Sequence, residues 1–583
     1  MAERTKTSPD ETSPEETSHE EGGDTASNSI VEEGTAINPA TKCDSPTDGA
    51  PSLGPDSFPD SFPDAAPSLI PEFSSDTGAA AGPLRSRILK SGGAIGLFTV
   101  FQYAAAIGSQ MILARLLGPE DFGNYAFVLL IHGLFSNLRN IHGGQFLIAH
   151  KGENFDRVYS TVFTADLTLS TIATALSIVF AAPIMGLAGR RDLATEFAWM
   201  APAFVFMALS LPTVIFSKRI DFIRSNVPGM FGILIGPCAK IAMALSGFGI
   251  MSLIWGEMIR QAVVAILTFA ICPAWPRLVW DRSIIWDAFK FGAPITITGL
   301  IVYYYWKVDD YLVGVFLGAK DLGYYFLAFR IPEYFFNLKI AVAPLVFASL
   351  CAVESDEKQR EGFVILTHLT AVATALPVVV SMLFGQELIT RVFGNQWLPS
   401  VPAFQILMTT TAARMAFGYM ADILTAKKMT WWLPLLTIQN AVVLTVSAIY
   451  LTPRYGISGT AASVLITVLA SLLVTVPLCQ YLLGLNPIHL VMRPVLCAAV
   501  TWGVGRFLGS HQTVSEVAIL GHGTLICVTY YLLVMALDPL ALREIYRVTH
   551  WKLPGYRARY RATSAPASAA TPGAPPDSTP GAG

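Results

Sequence analysis

From Gly92 to Leu537 the chain is a succession of unbroken apolar stretches, each about 20 residues long, the length that crosses a hydrocarbon layer about 30 Å thick. The apolar positions run continuously and do not alternate, so they predict helices and not barrel strands. Windowed hydropathy places about 14 spans, at 92–113, 124–148, 158–184, 195–215, 226–246, 248–272, 290–314, 322–350, 363–385, 402–421, 430–451, 457–478, 490–509 and 516–537. The fifth and sixth are parted only by Ser246, Gly247 and Phe248. The pattern predicts an all-α integral membrane protein.

The pattern repeats. LGPEDFGNY (Leu117 to Tyr125) matches LGAKDLGYY (Leu317 to Tyr325), with Leu, Gly, Asp, Gly and Tyr coinciding. The same offset carries Lys90, Gly92 and Ile95 onto Lys290, Gly292 and Ile295, and Ile131, Asn137 and Leu138 onto Ile331, Asn337 and Leu338. A second anchor follows at a slightly larger offset, where Phe248-Gly249-Ile250 resembles Tyr455-Gly456-Ile457. Shared hydrophobicity does not explain matched Gly, Asp and Tyr in a loop, so this is a duplication. An even number of spans between copies preserves orientation, which predicts parallel repeats about an axis near the membrane normal, an arrangement of secondary transporters.

Composition agrees, with 53% hydrophobic and 14% charged residues and a mean hydropathy of +0.50. Soluble domains carry about 25% charged residues. The net charge of −3 hides an asymmetry. Residues 1–83 hold 17 Asp or Glu against 3 Lys or Arg and include DSFPDSFPD; such a segment is expected to be disordered, as is the Ala/Pro/Gly-rich end from Ser564 on. No basic region followed by an apolar run opens the chain, so the span near Gly92 is expected to act as an uncleaved signal-anchor. Lys and Arg then favour one side about three to one. Arg85, Lys151, Lys218, Arg277, Lys358, Lys427 and the run from Arg543 to Arg561 fall on it, which predicts both termini in the cytoplasm. The seven cysteines give no disulfide framework.

Four stretches carry a family resemblance: ARLLGPEDFGNYAF after the first span, LGAKDLGYY after the seventh, FGNQW (Phe393 to Trp397) before the tenth and YGISGTAAS (Tyr455 to Ser463) entering the twelfth. From Ser91 to Leu483 the chain resembles the Wzx-type polysaccharide flippases of the multidrug/oligosaccharidyl-lipid/polysaccharide exporter (MOP) superfamily. The resemblance implies a MATE-like fold of two six-helix bundles around a central cavity, here 84–275 and 276–484. Two extra helices (485–540) and a basic tail (541–583) follow. It also implies export of undecaprenyl-diphosphate-linked repeat units across a bacterial inner membrane for exopolysaccharide or O-antigen synthesis. Expected partners are the lipid-linked oligosaccharide, membrane lipids and polysaccharide polymerase or export machinery. No nucleic acid, metal or cofactor is expected, and no Walker A, HExxH or other catalytic motif is present.

Charge at mid-bilayer is costly, so intramembrane ionisable groups are the candidate functional residues. His132, Ser136, Arg139 and His142 share one face of the second span by their spacing. Arg139 falls on Lys339 in the repeat, so each half supplies one cation able to face a diphosphate across a cavity; a buried ion pair is the competing reading. Lys240, after Pro237, and Arg414 complete the candidate cavity cations, with Arg414 and Asp166 read as isolated. In YYYWKVDD (Tyr303 to Asp310), Lys307 and Asp310 can pair at i,i+3, Asp309 or Asp310 can carry a coupling proton or sodium ion, and the aromatics are expected to form an interfacial belt. Arg330 with Glu333 and Glu257 with Arg260 are expected intrahelical pairs, and His368 a satisfied buried histidine. A drug/cation antiporter would need an acidic cavity. A lipid II flippase would share the basic one. A membrane scaffold for polysaccharide assembly would rely on its tails and need none of these charges.

Overall fold

The computed structural model describes residues 101–152, 154–219, 221–272, 274–351, 355–507 and 516–538. The acidic segment 1–83, Cys43 and the tail 541–583 lie outside the described residues.

All regular structure among the described residues is helical. Residues 101–116 form α1. There follow α2 (Pro119–Arg139), α3 (Gly143–Ala149), α4 (Phe155–Val179), α5 (Ala181–Leu187), α6 (Ala194–Met200), α7 (Ala203–Leu209), α8 (Val214–Lys218), α9 (Phe222–Leu245) and α10 (Ile250–Ile271). A linker leads to α11 (Arg282–Phe316), α12 (Ala319–Cys351), α13 (Asp356–Phe393), α14 (Val401–Phe417), α15 (Tyr419–Ala426), α16 (Trp432–Leu483), α17 (Pro487–Phe507) and α18 (Glu516–Leu537). Eight helical runs among the described residues are long and apolar enough to cross a membrane. The helices α2, α12 and α14, which carry Arg139, Lys339 and Arg414, are not among them.

Local chemistry sets the breaks. Pro119 opens α2 at a position where no N–H is needed, with Glu120 and Asp121 at the positive end of the helix dipole. The predicted span 124–148 is not one helix. It stops at Asn140, whose Oδ1 accepts from the backbone N–H of His142 at 2.8 Å, and His142 is left-handed (φ 53°). His142 therefore does not belong to the helical stripe that its spacing predicts. The segment 191–218 is broken into α6, α7 and α8, with Pro202 and Pro212 at the interruptions. The fifth and sixth spans are separate, divided by a turn at Gly247 and Gly249.

The repeat is visible in the backbone. Gly249 has φ 52° and ψ −134°; Gly456, which breaks α16 into two helices, has φ 61° and ψ −148°. Only glycine holds such angles without strain. The two LGxxDxG motifs meet each other. A Cβ on Gly123 would lie 1.7 Å from the carbonyl oxygen of Ala319, and one on Gly323 would lie 1.8 Å from that of Pro119. Pro119 and Ala319 are repeat equivalents, so the contact is reciprocal, as a two-fold relation produces.

The largest core cluster lies around this crossing and joins both halves through Phe122, Phe127, Tyr325, Trp397 and Phe404. Away from it the cores separate. Leu147, Val162 and Ile215 cluster in the first half with Ala288 of α11, and Phe363, Ile423 and Leu478 in the second. Of the second half, α11 reaches furthest across: Gly292 packs on the carbonyl of Ile141 and Tyr303 donates to the carbonyl of Leu130 at 2.6 Å. The C-terminal pair α17 and α18 packs on α13 through Val372, Cys497, Tyr530 and Val534.

Filling the crossing must force the backbones apart, and overpacking costs about 1–3 kcal/mol. Gly123→Val and Gly323→Val are expected to lower the thermal midpoint of the purified protein. Gly118→Ala, with nothing within 4 Å of the added carbon, is expected to leave it in place. Equal midpoints for all three would show that the crossing is slack.

Candidate functional site

The four cations expected in one cavity occupy three places. Arg139, at the end of α2, donates through Nη1 to Asp166 at 3.2 Å and to Ser170 at 2.7 Å, both on α4. Its side chain is 7% exposed. Asp166 is thus not isolated but is the partner of Arg139, and the pair lies inside the first half. The rest of the stripe faces the same way: His132 stacks on Phe204 at 4.2 Å, and Ser136 turns its hydroxyl to Met207. The structure does not bring Arg139 and Lys339 to a common site.

Lys240 of α9 faces a cavity of about 290 Å³ formed by both halves, together with Gln110, Tyr125, Glu257, Arg330 and Tyr334. Its Nζ lies 3.1 Å from Glu257, which also accepts from Arg260 at 2.8 Å. The i,i+3 spacing reveals the Glu257–Arg260 pair, but not the link to Lys240 on another helix. Arg330 pairs with Glu333 at 2.9 Å, as spacing predicts.

Lys339 and Arg414 share a second cavity of about 290 Å³, enclosed by α11, α12, α14, α15 and α16 of the second half. The Lys339 ammonium lies 4.5 Å above the ring of Tyr419. It also lies directly over Gly418, where a Cβ would come within 2.1 Å of Nζ. Arg414 donates to the Tyr305 hydroxyl at 3.1 Å and stacks 4.3 Å from the centre of the Trp306 ring. Neither cation forms an ion pair with a carboxylate among the described residues. The opposite wall, from α16, mixes apolar residues (Leu433, Leu436, Val468, Leu472) with acceptors. The Asn440 amide oxygen is buried without a partner. Thr437, Ser471 and Thr475 donate their hydroxyl hydrogens to carbonyls of their own helix, leaving oxygen lone pairs free.

The acidic candidates divide. Asp310 pairs with Lys307 at 2.7 Å, as the spacing predicts. Asp309 accepts from the Tyr325 hydroxyl at 2.7 Å, while its other oxygen is buried without a partner. It lines a small cavity with Trp306, Arg414 and Thr467. The aromatic run is not a uniform belt. Tyr304 is exposed, whereas Tyr305 and Trp306 turn inward to hold Arg414. His368 has Nδ1 2.8 Å from the Leu490 carbonyl and Nε2 2.8 Å from Asp538, an ion-pair distance without hydrogen-bond geometry.

Residues 112–402 match the family described as polysaccharide biosynthesis protein. The succinoglycan biosynthesis transport protein ExoT of Rhizobium meliloti (strain 1021) is 24% identical over 340 residues, 55% of this chain and 66% of that protein. Among solved structures, the lipid II flippase MurJ in an inward closed conformation matches with a TM-score of 0.65 at 14% identity, covering 76% of this chain and 98% of that one. An inward-facing multidrug resistance MATE family transporter of the MOP superfamily matches with a TM-score of 0.54 at 15% identity, covering 66% of this chain and 94% of that one. At such identities the structural likeness speaks for fold alone. The apolar helical runs and these relatives define a multi-pass membrane protein. Over residues 112–402 the chain is thus similar to the polysaccharide biosynthesis protein family, on a fold shared with MurJ and MATE transporters.

Arg139 forms the buried ion pair that was the competing reading of its sequence position. Removing one partner of a buried pair costs about 3–5 kcal/mol, whereas an apolar replacement of both is often neutral. Asp166→Ala is therefore expected to unfold the protein at markedly lower temperature, and Arg139→Met with Asp166→Leu to recover most of the loss. Failure of the double variant to export polysaccharide at native protein level would return Arg139 to the substrate path.

Proposed function

We propose that this chain translocates undecaprenyl-diphosphate-linked oligosaccharide across the bacterial cytoplasmic membrane, for cell-surface polysaccharide, by ion-coupled alternating access. The observation that carries this reading is the Lys339–Arg414 cavity. Two half-buried cations that form no direct ion pair among the described residues, with Asp422 acting on Lys339 only at longer range, leave an excess of positive charge, and a diphosphate supplies the opposite charge. Arg414 offers a planar fork to phosphate oxygens and Lys339 a point charge. The facing Asn440 and hydroxyl oxygens accept from sugar hydroxyls, so the cavity suits a ligand that is anionic at one side and rich in O–H groups at the other. The prenyl chain would remain in lipid. Lys240 and Arg330 would extend the cationic path through the cavity between the halves.

In this reading the helices form about 14 spans, as six (84–275), six (276–484) and two (485–540), with both termini in the cytoplasm. The halves rock about the Gly123–Gly323 crossing. Their shared core closes the outer end, and the separated cores at the other end leave the cavities accessible from inside. Asp309 is the coupling-ion carrier, since one of its oxygens is free in a small cavity beside Arg414. A drug/cation antiporter on the same fold would need an acidic cavity, and the Lys339–Arg414 cavity is basic.

A hydrogen bond to a charged group is worth roughly 1.5–3 kcal/mol, about tenfold to a hundredfold in binding. Lys339→Ala and Arg414→Ala are each expected to reduce surface polysaccharide at least tenfold at matched protein level, with lipid-linked intermediates accumulating inside. The double variant is expected to abolish export. Normal export from it would remove the site, and intact polysaccharide in a deletion strain would remove the flippase reading. Asp309→Asn is expected to leave substrate binding in place while flipping in proteoliposomes stops responding to proton or sodium gradients. A variant that still responds to either gradient would place coupling elsewhere.

A further inference from the structure

The FGNQW motif forms a joint between the halves. At the end of α13 the chain turns at Gly394 (φ 112°) into a 3-10 segment, Asn395–Ser400. Trp397 is fully buried there. Its indole Nε1 donates to the carbonyl of Ala114 at 2.8 Å, and its ring meets Phe122 and Tyr324 edge-on at 5.4 and 6.0 Å. Gln396 donates to the carbonyls of Ala114 at 2.6 Å and Leu117 at 3.3 Å. Arg115 reciprocates, donating to the carbonyls of Val392 at 3.1 Å and of Arg391. The C-termini of α1 and α13, one from each half, thus satisfy each other's last carbonyls, which have no partner within their own helices.

The first half has a counterpart. Gly189 (φ 89°) leads into the 3-10 turn Arg191–Leu193, and a Cβ on Gly189 would lie 3.8 Å from Val315, the repeat equivalent of Arg115. Each half therefore sends a glycine-led turn onto the first helix of the other. The second-half turn is the one tied by hydrogen bonds to backbone carbonyls.

Trp397 is buried, but Arg115 and Gln396 are exposed. Water can take over their bonds when the contact opens, whereas a wholly apolar joint would have no such replacement.

We propose that the Gly394–Ser400 turn is the outer latch of the transport cycle, with Trp397 as its plug and the Arg115–Gln396 exchange as its releasable tie. This rests on the alternating-access reading above.

The test uses a cysteine-free full chain. Arg115→Cys and Gln396→Cys are introduced together and joined by a short reducible bis-maleimide in cells whose polysaccharide export depends on this gene. Export is expected to fall at least tenfold on cross-linking and to recover on reduction. Unchanged export would overturn the latch and leave the flippase reading standing. A second measurement needs no polysaccharide. Leu113→Cys, buried next to the latched Ala114 and lining the cavity between the halves, is probed from outside with a membrane-impermeant maleimide. Losing the Gln396 bonds is expected to raise labelling by roughly five- to tenfold in Gln396→Ala, a milder change than Trp397→Ala. Unchanged labelling would overturn the latch even if a deletion strain kept its polysaccharide and the flippase reading fell.

Discussion

The backbone contact between Gly123 and Gly323 is the constraint on which the rest of the structure depends. Lipid offers no hydrophobic drive for helices to associate, so close backbone approach through small residues must supply the packing. Here α2 and α12 cross so tightly that neither glycine has room for a methyl group. The contact fixes where the two repeats meet, and neighbouring motif residues inherit their positions from it. Asp121 accepts from the backbone at Ile250, the turn that carries the second repeat anchor. Tyr125 and Tyr325, two residues past the glycines, each point a hydroxyl at an interior charge: Tyr125 at Lys240 (3.5 Å) and Tyr325 at Asp309 (2.7 Å). In the first copy the motif LGxxDxGxY is thus one device: a turn, a carboxylate reaching the start of α10, a crossing and an inward phenol.

Against this symmetric frame the charges are placed asymmetrically. Asp309 and Asp310 stand where the first half has Ser109 and Gln110. At the offset that aligns Gly249 with Gly456, Lys240, Glu257 and Arg260 stand where the second half has Ser447, Val464 and Thr467. The first half holds a nearly balanced cluster at the boundary between the halves. The second holds, in the Lys339–Arg414 cavity, two cations without a direct ion pair among the described residues, and a carboxylate with a free oxygen. Duplication explains the fold, and divergence at these positions gives the halves different interior charge.

What was legible in the sequence follows from how far each interaction reaches. Hydropathy found membrane-length helices because lipid imposes their length, and the repeat was legible because shared hydrophobicity cannot produce matched Gly, Asp and Tyr; the expected loop is in fact the first turns of α2 and α12, which hold Asp121, Gly123, Asp321 and Gly323. Lys307–Asp310, Arg330–Glu333 and Glu257–Arg260 could be read because helical spacing determines them. Arg139–Asp166 and Lys240–Glu257 could not, because each joins two helices whose relative rotation no local pattern encodes. The end of α2 had a readable signal that hydropathy averaged away: Asn140, then His142, then Gly143-Gly144, a side chain able to cap the turn followed by residues that tolerate it. The inward turn of Tyr305 and Trp306 had none, since a belt and a cation clamp use the same residues.

One side chain links the cavity to the moving parts. Arg414 belongs to α14, yet its guanidinium is held by Tyr305 and Trp306 of α11. At other points along its length, α11 is fastened to the first half through Gly292 on Ile141 and Tyr303 on Leu130. A ligand that recruits Arg414 with phosphate oxygens competes with that aromatic clamp, and charge-assisted bonds to phosphate are the stronger. Under the proposed flippase reading, binding in the second-half cavity would therefore loosen its grip on the helix that lies against the first half. The same guanidinium cannot serve both partners fully, and that competition would let the loading of the cavity bias the arrangement of the halves.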